Sequence, residues 1–115
     1  MSLAELDAVA LAAEHAQGRR SVRATIEATL ELLERAAPTL GAIAEVLADS
    51  ALKRADVLDA ALQHDFEPGA LCGVPVVLKG NLCVAGVETN CGSRVLAGYR
   101  PSHAVTVVER LLAAG

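Results

Sequence analysis

Apolar residues recur at helical spacing through the first half of the chain. Leu3, Leu6, Val9, Ala10 and Ala13 share one face of a first helix, with Ser2 and Glu5 in a capping-box pattern at its start and Gly18 at its end. A second helix is predicted from Ser21, with Val22, Ile26, Leu30 and Leu33 on one face, stopping before Pro38. Glu27, Glu31, Glu34 and Arg35 mark its wet side. A third is predicted over residues 42–63. There Val46, Leu47, Ala51, Ala55, Leu58 and Leu62 form an apolar stripe opposed by Lys53, Arg54, Asp56 and Asp59.

The pattern changes at residue 74. "HDFEPGALCG" carries Pro68, Gly69 and Gly73 and reads as a loop. "VPVVLK" is a short β-branched run that fits a buried strand starting after a proline. "LCVAGVET" predicts two short extended arms around Ala85 and Gly86. "NCGSRVLAG" is turn-rich, and "SHAVTVVERLLAAG" returns to a helical period. One buried strand cannot satisfy its own backbone N–H and C=O groups. A strand, a loop and a helix with no following strand make half of an α/β repeat, so the expectation is an α/β chain that is truncated.

Composition narrows the function classes. Hydrophobic residues make up 53% of the 115 residues and charged residues 21%, which argues against disorder. Phe66 and Tyr99 are the aromatic residues, so the core is expected to be aliphatic and thin for a domain standing alone. The net charge is −4, and Arg19, Arg20 and Arg23 form too small a basic cluster for a nucleic-acid footprint. No apolar run reaches the eighteen or so residues that span a bilayer. Acidic residues precede the basic ones at the N-terminus, the reverse of a signal peptide. Cys72, Cys83 and Cys91 are odd in number and lack a C-x-x-C spacing, which disfavours a disulfide framework or a zinc site and suits a reducing, cytoplasmic setting. His15, His64 and His103 have no ligand spacing and are expected at the surface. Cys91 has no histidine or cationic cluster beside it in sequence, so a packed thiol is expected there.

"GALCGVPVVLKGN", "AGVETNCGSRVLAG" and "PSHAVTVVERLLAAG" together resemble the amidase signature family over residues 69–115. The family pattern runs G-x-L-x-G-[IV]-P-[IV]-x-[IV]-K-D-N, then a glycine, a threonine and G-S, then P-x-x-D-A-T-x-V-x-x-L-x-x-A-G. Within the family, Cys83, Gly86, Val87, Thr89, Cys91, Gly92 and Ser93 are most similar to the A subunits of the glutamyl-tRNA(Gln) and aspartyl-tRNA(Asn) amidotransferases. The resemblance implies the α/β/α sandwich of that family in a single domain. Residues 1–66 would be its helical leading region and residues 67–115 the start of its core, with the first strand or strands and a helix.

The resemblance also implies a Ser–cis-Ser–Lys triad whose base is Lys79. An unperturbed lysine amine is protonated near neutral pH and cannot accept a proton. Burial disfavours the charged form, so a strand-end lysine facing a closed pocket becomes a working base. It would take a proton, through the bridging serine, from the serine that attacks the amide carbon. In the family both serines come from a later segment, so this chain alone is expected to be inactive, and Ser93 is expected to be structural. Two residues depart from the pattern: Gly80 replaces the aspartate after the lysine, and Ala104 replaces the aspartate before the last helix, where Ser102 is the substitute cap.

For the intact protein the implied activity is hydrolysis of glutamine, supplying ammonia for amidation of misacylated Glu-tRNA(Gln) or Asp-tRNA(Asn). The implied partners are the amidotransferase B and C subunits, with tRNA contacted mainly through the partner and no membrane involved. ATP and Mg²⁺ are implied for the whole complex, with no cofactor or metal on this chain. A general small-amide amidase and a short non-catalytic interaction protein are the alternatives.

Overall fold

Asp7, not Ser2, opens the first α-helix. In the computed structural model, which describes residues 3–115, Ser2 lies outside the described residues. Leu3–Glu5 is a 3-10 turn, and α1 (Ala8–Ala16) follows with the Asp7 carboxylate accepting the Ala10 N–H at 2.8 Å. Residues Met1–Pro75 form one compact unit with Ala114–Gly115, and Val76–Ala113 form a second.

In the first unit, α1 buries Leu11, Ala12 and His15, whereas Val9 is 79% exposed. The predicted face is therefore out of phase. An alanine-rich helix is apolar nearly all round, so spacing alone leaves its rotation open. Gly18, at φ +66°, ends the helix as expected, and Arg19 folds back so that its guanidinium meets Glu14 at 2.7 Å. That hydrogen bond holds the Glu14 carboxyl below the usual carboxylate range.

α2 (Val22–Leu40) starts on Ser21, whose hydroxyl accepts the Ala24 N–H at 3.0 Å. Asp59 of α3 (Ala48–Leu62) takes the next two free donors, Val22 N–H at 2.7 Å and Arg23 N–H at 2.9 Å. One helix thus supplies a carboxylate to the positive end of the other. The Arg23 guanidinium reaches Asp56 at 2.7 Å and Glu27 at 2.8 Å beside it. These bonds join the start of α2 to the later turns of α3, so the two helices run antiparallel.

The predicted limits of both helices are corrected. α2 runs through Pro38 to Leu40 and ends on Gly41 at φ +58°. Pro38 sits in the last turn, where it forfeits one hydrogen bond to an exposed carbonyl and leaves the helix intact. α3 begins at Ala48, because residues 41–47 are spent reversing the chain. Between the helices lies the core, Val22, Ile26, Ala55, Leu58 and Cys72, flanked by Leu30, Ala51, Leu52 and Leu62. It is aliphatic, as the composition implies.

The chain's last two residues close this unit. The Ala114 carbonyl accepts from Leu71 N–H at 2.9 Å and the Gly115 carbonyl from Gly73 N–H at 3.1 Å. A Cβ on Gly69 would collide with the Ala114 carbonyl, so a side chain is excluded at that contact.

The second unit corrects the strand and the hairpin. Residues 74–79 form no strand; Val76 and Val77 are 58% and 69% exposed. Among the described residues no strand occurs at all, so they form a helical piece with long turns in which the expected α/β sandwich is not seen. The physical reason is the one given by backbone accounting: no extended segment lies alongside to pair with this one. The predicted arms around Ala85 and Gly86 meet in a turn, with Val87 N–H donating to Val84 O at 3.1 Å, but form no strand ladder beyond it. Gly86 N–H instead donates to Pro101 O at 2.8 Å, and Thr89 N–H to Tyr99 O at 2.9 Å. A 3-10 turn, Arg94–Leu96, follows the turn-rich stretch, and α4 (Thr106–Ala113) ends the unit. Its first acceptor is the Val105 carbonyl, bonded to Glu109 N–H at 3.1 Å. Ser102 therefore does not cap it, and neither it nor Ala104 supplies the missing carboxylate.

Candidate active site

Lys79 sits at the mouth of a turn. Its carbonyl accepts from Leu82 N–H at 3.0 Å, and the next carbonyl, Gly80 O, accepts from Cys91 N–H at 3.2 Å. Two consecutive carbonyls after the lysine Cα are thus held, and with them the backbone from which its side chain leaves. Lys79 itself is exposed, as are Gly80 and Asn81. A Cβ on Gly80 would meet nothing within 4 Å, and the backbone there is not left-handed. The glycine is not demanded by space or by φ.

Cys91 belongs to a tight turn of its own. Ser93 N–H donates to Asn90 O at 2.8 Å, and the two central residues, Cys91 and Gly92, have φ of +54° and +72°. Positive φ at both centres is the signature of a type I′ turn. Asn90 Oδ1 also accepts from Gly92 N–H at 2.8 Å, while Asn90 Nδ2 donates to Glu88 at 3.0 Å. Glu88 is held below the usual carboxylate range, first by a hydrogen bond from the Gly98 backbone and then by Asn90. Arg100 closes the loop by donating to Gly86 O at 2.8 Å. Thr89, 4% exposed, is tied at both its N–H and its hydroxyl, the latter to Val87 O at 3.3 Å.

The other residues singled out in the sequence separate. Ser93 accepts the Val95 N–H at 3.3 Å and caps the 3-10 turn, a backbone role. The Cys91 thiol is exposed rather than packed, because the left-handed turn points residue 91 outward; Cys72 is the buried one. Burial pushes the Cys72 thiol up, with Asp59 adding to the rise. His64 and His103 are exposed.

His15 is not at the surface: it is fully buried. It follows Leu11 by four residues and Ala12 by three, which places it on the buried face. Its Nδ1 lies 2.8 Å from the Cys72 carbonyl, which only accepts, so Nδ1 carries the proton. Nε2 lies 2.8 Å from the Thr25 hydroxyl, itself fully buried. His15 also lines a hollow of about 240 Å³ with Arg20, Ser21, Asp59, Leu62 and Gln63. Helical spacing from Leu11 is the signal for it; a scan for ligand spacing passes over it. Among the described residues no group of three or more His, Cys, Asp or Glu is placed to hold a metal ion. None of their helices is long and apolar enough to cross a membrane.

The family profile described as "Amidase" matches residues 24–115. The chain belongs to the amidase family. Within it, the chain is 43% identical over 99 residues to the A subunit of the glutamyl-tRNA(Gln) amidotransferase of Symbiobacterium thermophilum, covering 85% of this chain and 20% of that protein. The same-named proteins of Acaryochloris marina and Chloroflexus aurantiacus are 38% and 42% identical, over 84% and 77% of this chain and 20% and 18% of theirs. The chain therefore spans about a fifth of the length of the curated relatives it matches. Among solved structures it is similar, with a TM-score of 0.91 and 26% identity, to one described as "An unexpected vestigial protein complex reveals the evolutionary origins of an s-triazine catabolic enzyme". That match covers 96% of this chain and 24% of the other.

Proposed function

We propose that this chain is the N-terminal, lysine-bearing portion of a glutamine-hydrolysing amidase subunit. The observation that carries the reading is the 43% identity to an amidotransferase A subunit across a segment that holds Lys79 in a pinned turn. In the proposed enzyme, Lys79 is the base of a Ser–cis-Ser–Lys triad, and the serines come from a glycine- and serine-rich part of the α/β/α sandwich that residues 1–115 do not match. A lysine needs burial to give up its proton near neutral pH. The exposed Lys79 is covered, in this reading, by the rest of that sandwich, which also pairs residues 74–79 as a strand. The ammonia released passes to partner subunits corresponding to B and C, which amidate Glu-tRNA(Gln) or Asp-tRNA(Asn) with ATP and Mg²⁺ in the cytoplasm. None of these is assigned a site on this chain.

The test is glutamine hydrolysis by the full subunit carrying this segment, with and without its partners. Lys79→Ala is expected to lower kcat by about 10²–10⁴-fold, the range supplied by a positioned general base. Residues 1–115 alone are expected to leave glutamine untouched. Unchanged kcat in the variant, or glutamine intact in every mixture, overturns the reading. A small-amide amidase is the second reading, favoured by the structural likeness to a complex linked to s-triazine catabolism. Turnover of small amides with no turnover of glutamine would establish it.

A further inference from the structure

We infer that residue 91 acts as the positioning residue for Lys79, through its left-handed backbone and not through its thiol. The importance of that position for catalysis rests on the reading of Lys79 as a base; the clamp itself does not. Lys79 O and Gly80 O are the first two carbonyls after the lysine side chain, and each has one backbone donor. The first bond, from Leu82, is local and closes a four-residue turn. The second, from Cys91, is the tie to distant sequence, and it depends on how the Asn90–Ser93 turn is folded.

Cys91 is the only non-glycine residue with positive φ among the described residues. At φ +54° its side chain is turned outward while its N–H faces Gly80 O. A residue held right-handed or extended at position 91 would open the Asn90–Ser93 turn and with it the loop that brings the residue 91 N–H to Gly80 O. The surrounding bonds all serve this conformation: Asn90 accepts from both Gly92 and Ser93, and Glu88 holds the Asn90 amide. A Cβ at the neighbouring Gly80 would meet nothing within 4 Å, so no side chain at that position holds the backbone beside Lys79. The constraint on the lysine comes from across the loop.

Residues that tolerate the left-handed region should therefore replace Cys91, and β-branched ones should not. Cys91→Gly, Cys91→Asn and Cys91→Val are compared with the unaltered 115-residue chain by amide hydrogen exchange. The amide of residue 91 is expected to be protected at least tenfold over its free rate in the unaltered chain, in Cys91→Gly and in Cys91→Asn. Cys91→Val is expected to lose that protection while Ile26 and Leu58 amides, in α2 and α3, keep theirs. Acylation of Lys79, read by mass spectrometry against Lys53 as the other lysine of the chain, is the second measurement. The Lys79-to-Lys53 ratio is expected to be unchanged in the glycine and asparagine variants and to shift at least twofold in the valine variant.

Loss in the glycine variant equal to that in valine would show that the thiol, not the backbone, matters and would overturn the inference. So would equal protection and equal acylation in all four proteins. If Cys91→Val unfolds α2 and α3 as well, retention in glycine and asparagine decides alone. The Lys79→Ala assay bears on the base, not on this clamp, so the two can fail separately.

Discussion

His15 shows how far a single residue can depart from its sequence expectation. A histidine between Glu14 and Ala16 in an alanine-rich helix offers no ligand pattern, and surface is the natural reading. The structure buries it completely and uses both ring nitrogens, one on Cys72 O and one on Thr25. Gly73, at φ +69°, packs so closely that a Cβ there would come within 2.7 Å of the His15 Nδ1. His15→Leu would leave the buried Cys72 carbonyl without its partner, at about 1–3 kcal/mol, and leave the Thr25 hydroxyl only its 3.3 Å bond to Ser21 O. The expected loss in denaturant unfolding is about 3 kcal/mol, and Thr25→Val alone should cost less. The two changes made together should cost less than their sum, because the Thr25 hydroxyl has already lost its histidine partner when it is removed. Strict additivity would mean that the 2.8 Å contact carries no energy.

At the scale of elements, the helices are legible in the sequence and their ends are less so. Ser21 and Gly18 read correctly because capping is a local property of the chain. Pro38 misleads because its effect depends on how much helix remains beyond it, and here only Thr39 and Leu40 follow. Periodicity places Asp59 on the wet face of α3; it is half-buried and serves the N-terminus of α2. A contact between positions 37 residues apart leaves no trace in helical spacing. Asp59→Ala removes both bonds and is expected to cost about 1–2 kcal/mol, as a lost helix cap does. Asp59→Asn should recover part of it, since one amide oxygen still accepts. Chemical denaturation of the three proteins measures this, and an alanine variant as stable as the parent would show the cap to be idle.

Across the whole molecule, the amidase motif is readable because its residues are adjacent in sequence, while the sheet is misread because it is a property of distant partners. "VPVVLK" has the composition of a buried strand, and composition states what a segment suits, not what lies beside it. Among the described residues no strand lies beside it, and Val76 and Val77 stay in water. The apolar core shows the same imbalance. Val22, Ile26, Ala55, Leu58 and Cys72 all belong to the first unit, whereas among the described residues of the second Pro101 and Val108 are the buried apolar side chains and many bonds lie in turns. Regions with few buried apolar contacts open at lower free energy than packed helices. Native-state exchange on this chain should therefore show two tiers. Amides of α2 and α3 are expected to exchange slowest, and the bonded amides of Gly86, Thr89 and Cys91 at least tenfold faster, yet slower than free peptide. A common rate for both groups would mean that the chain opens as one cooperative body. The hydrogen-bonded turns around Lys79 would then draw on the helical core for their stability.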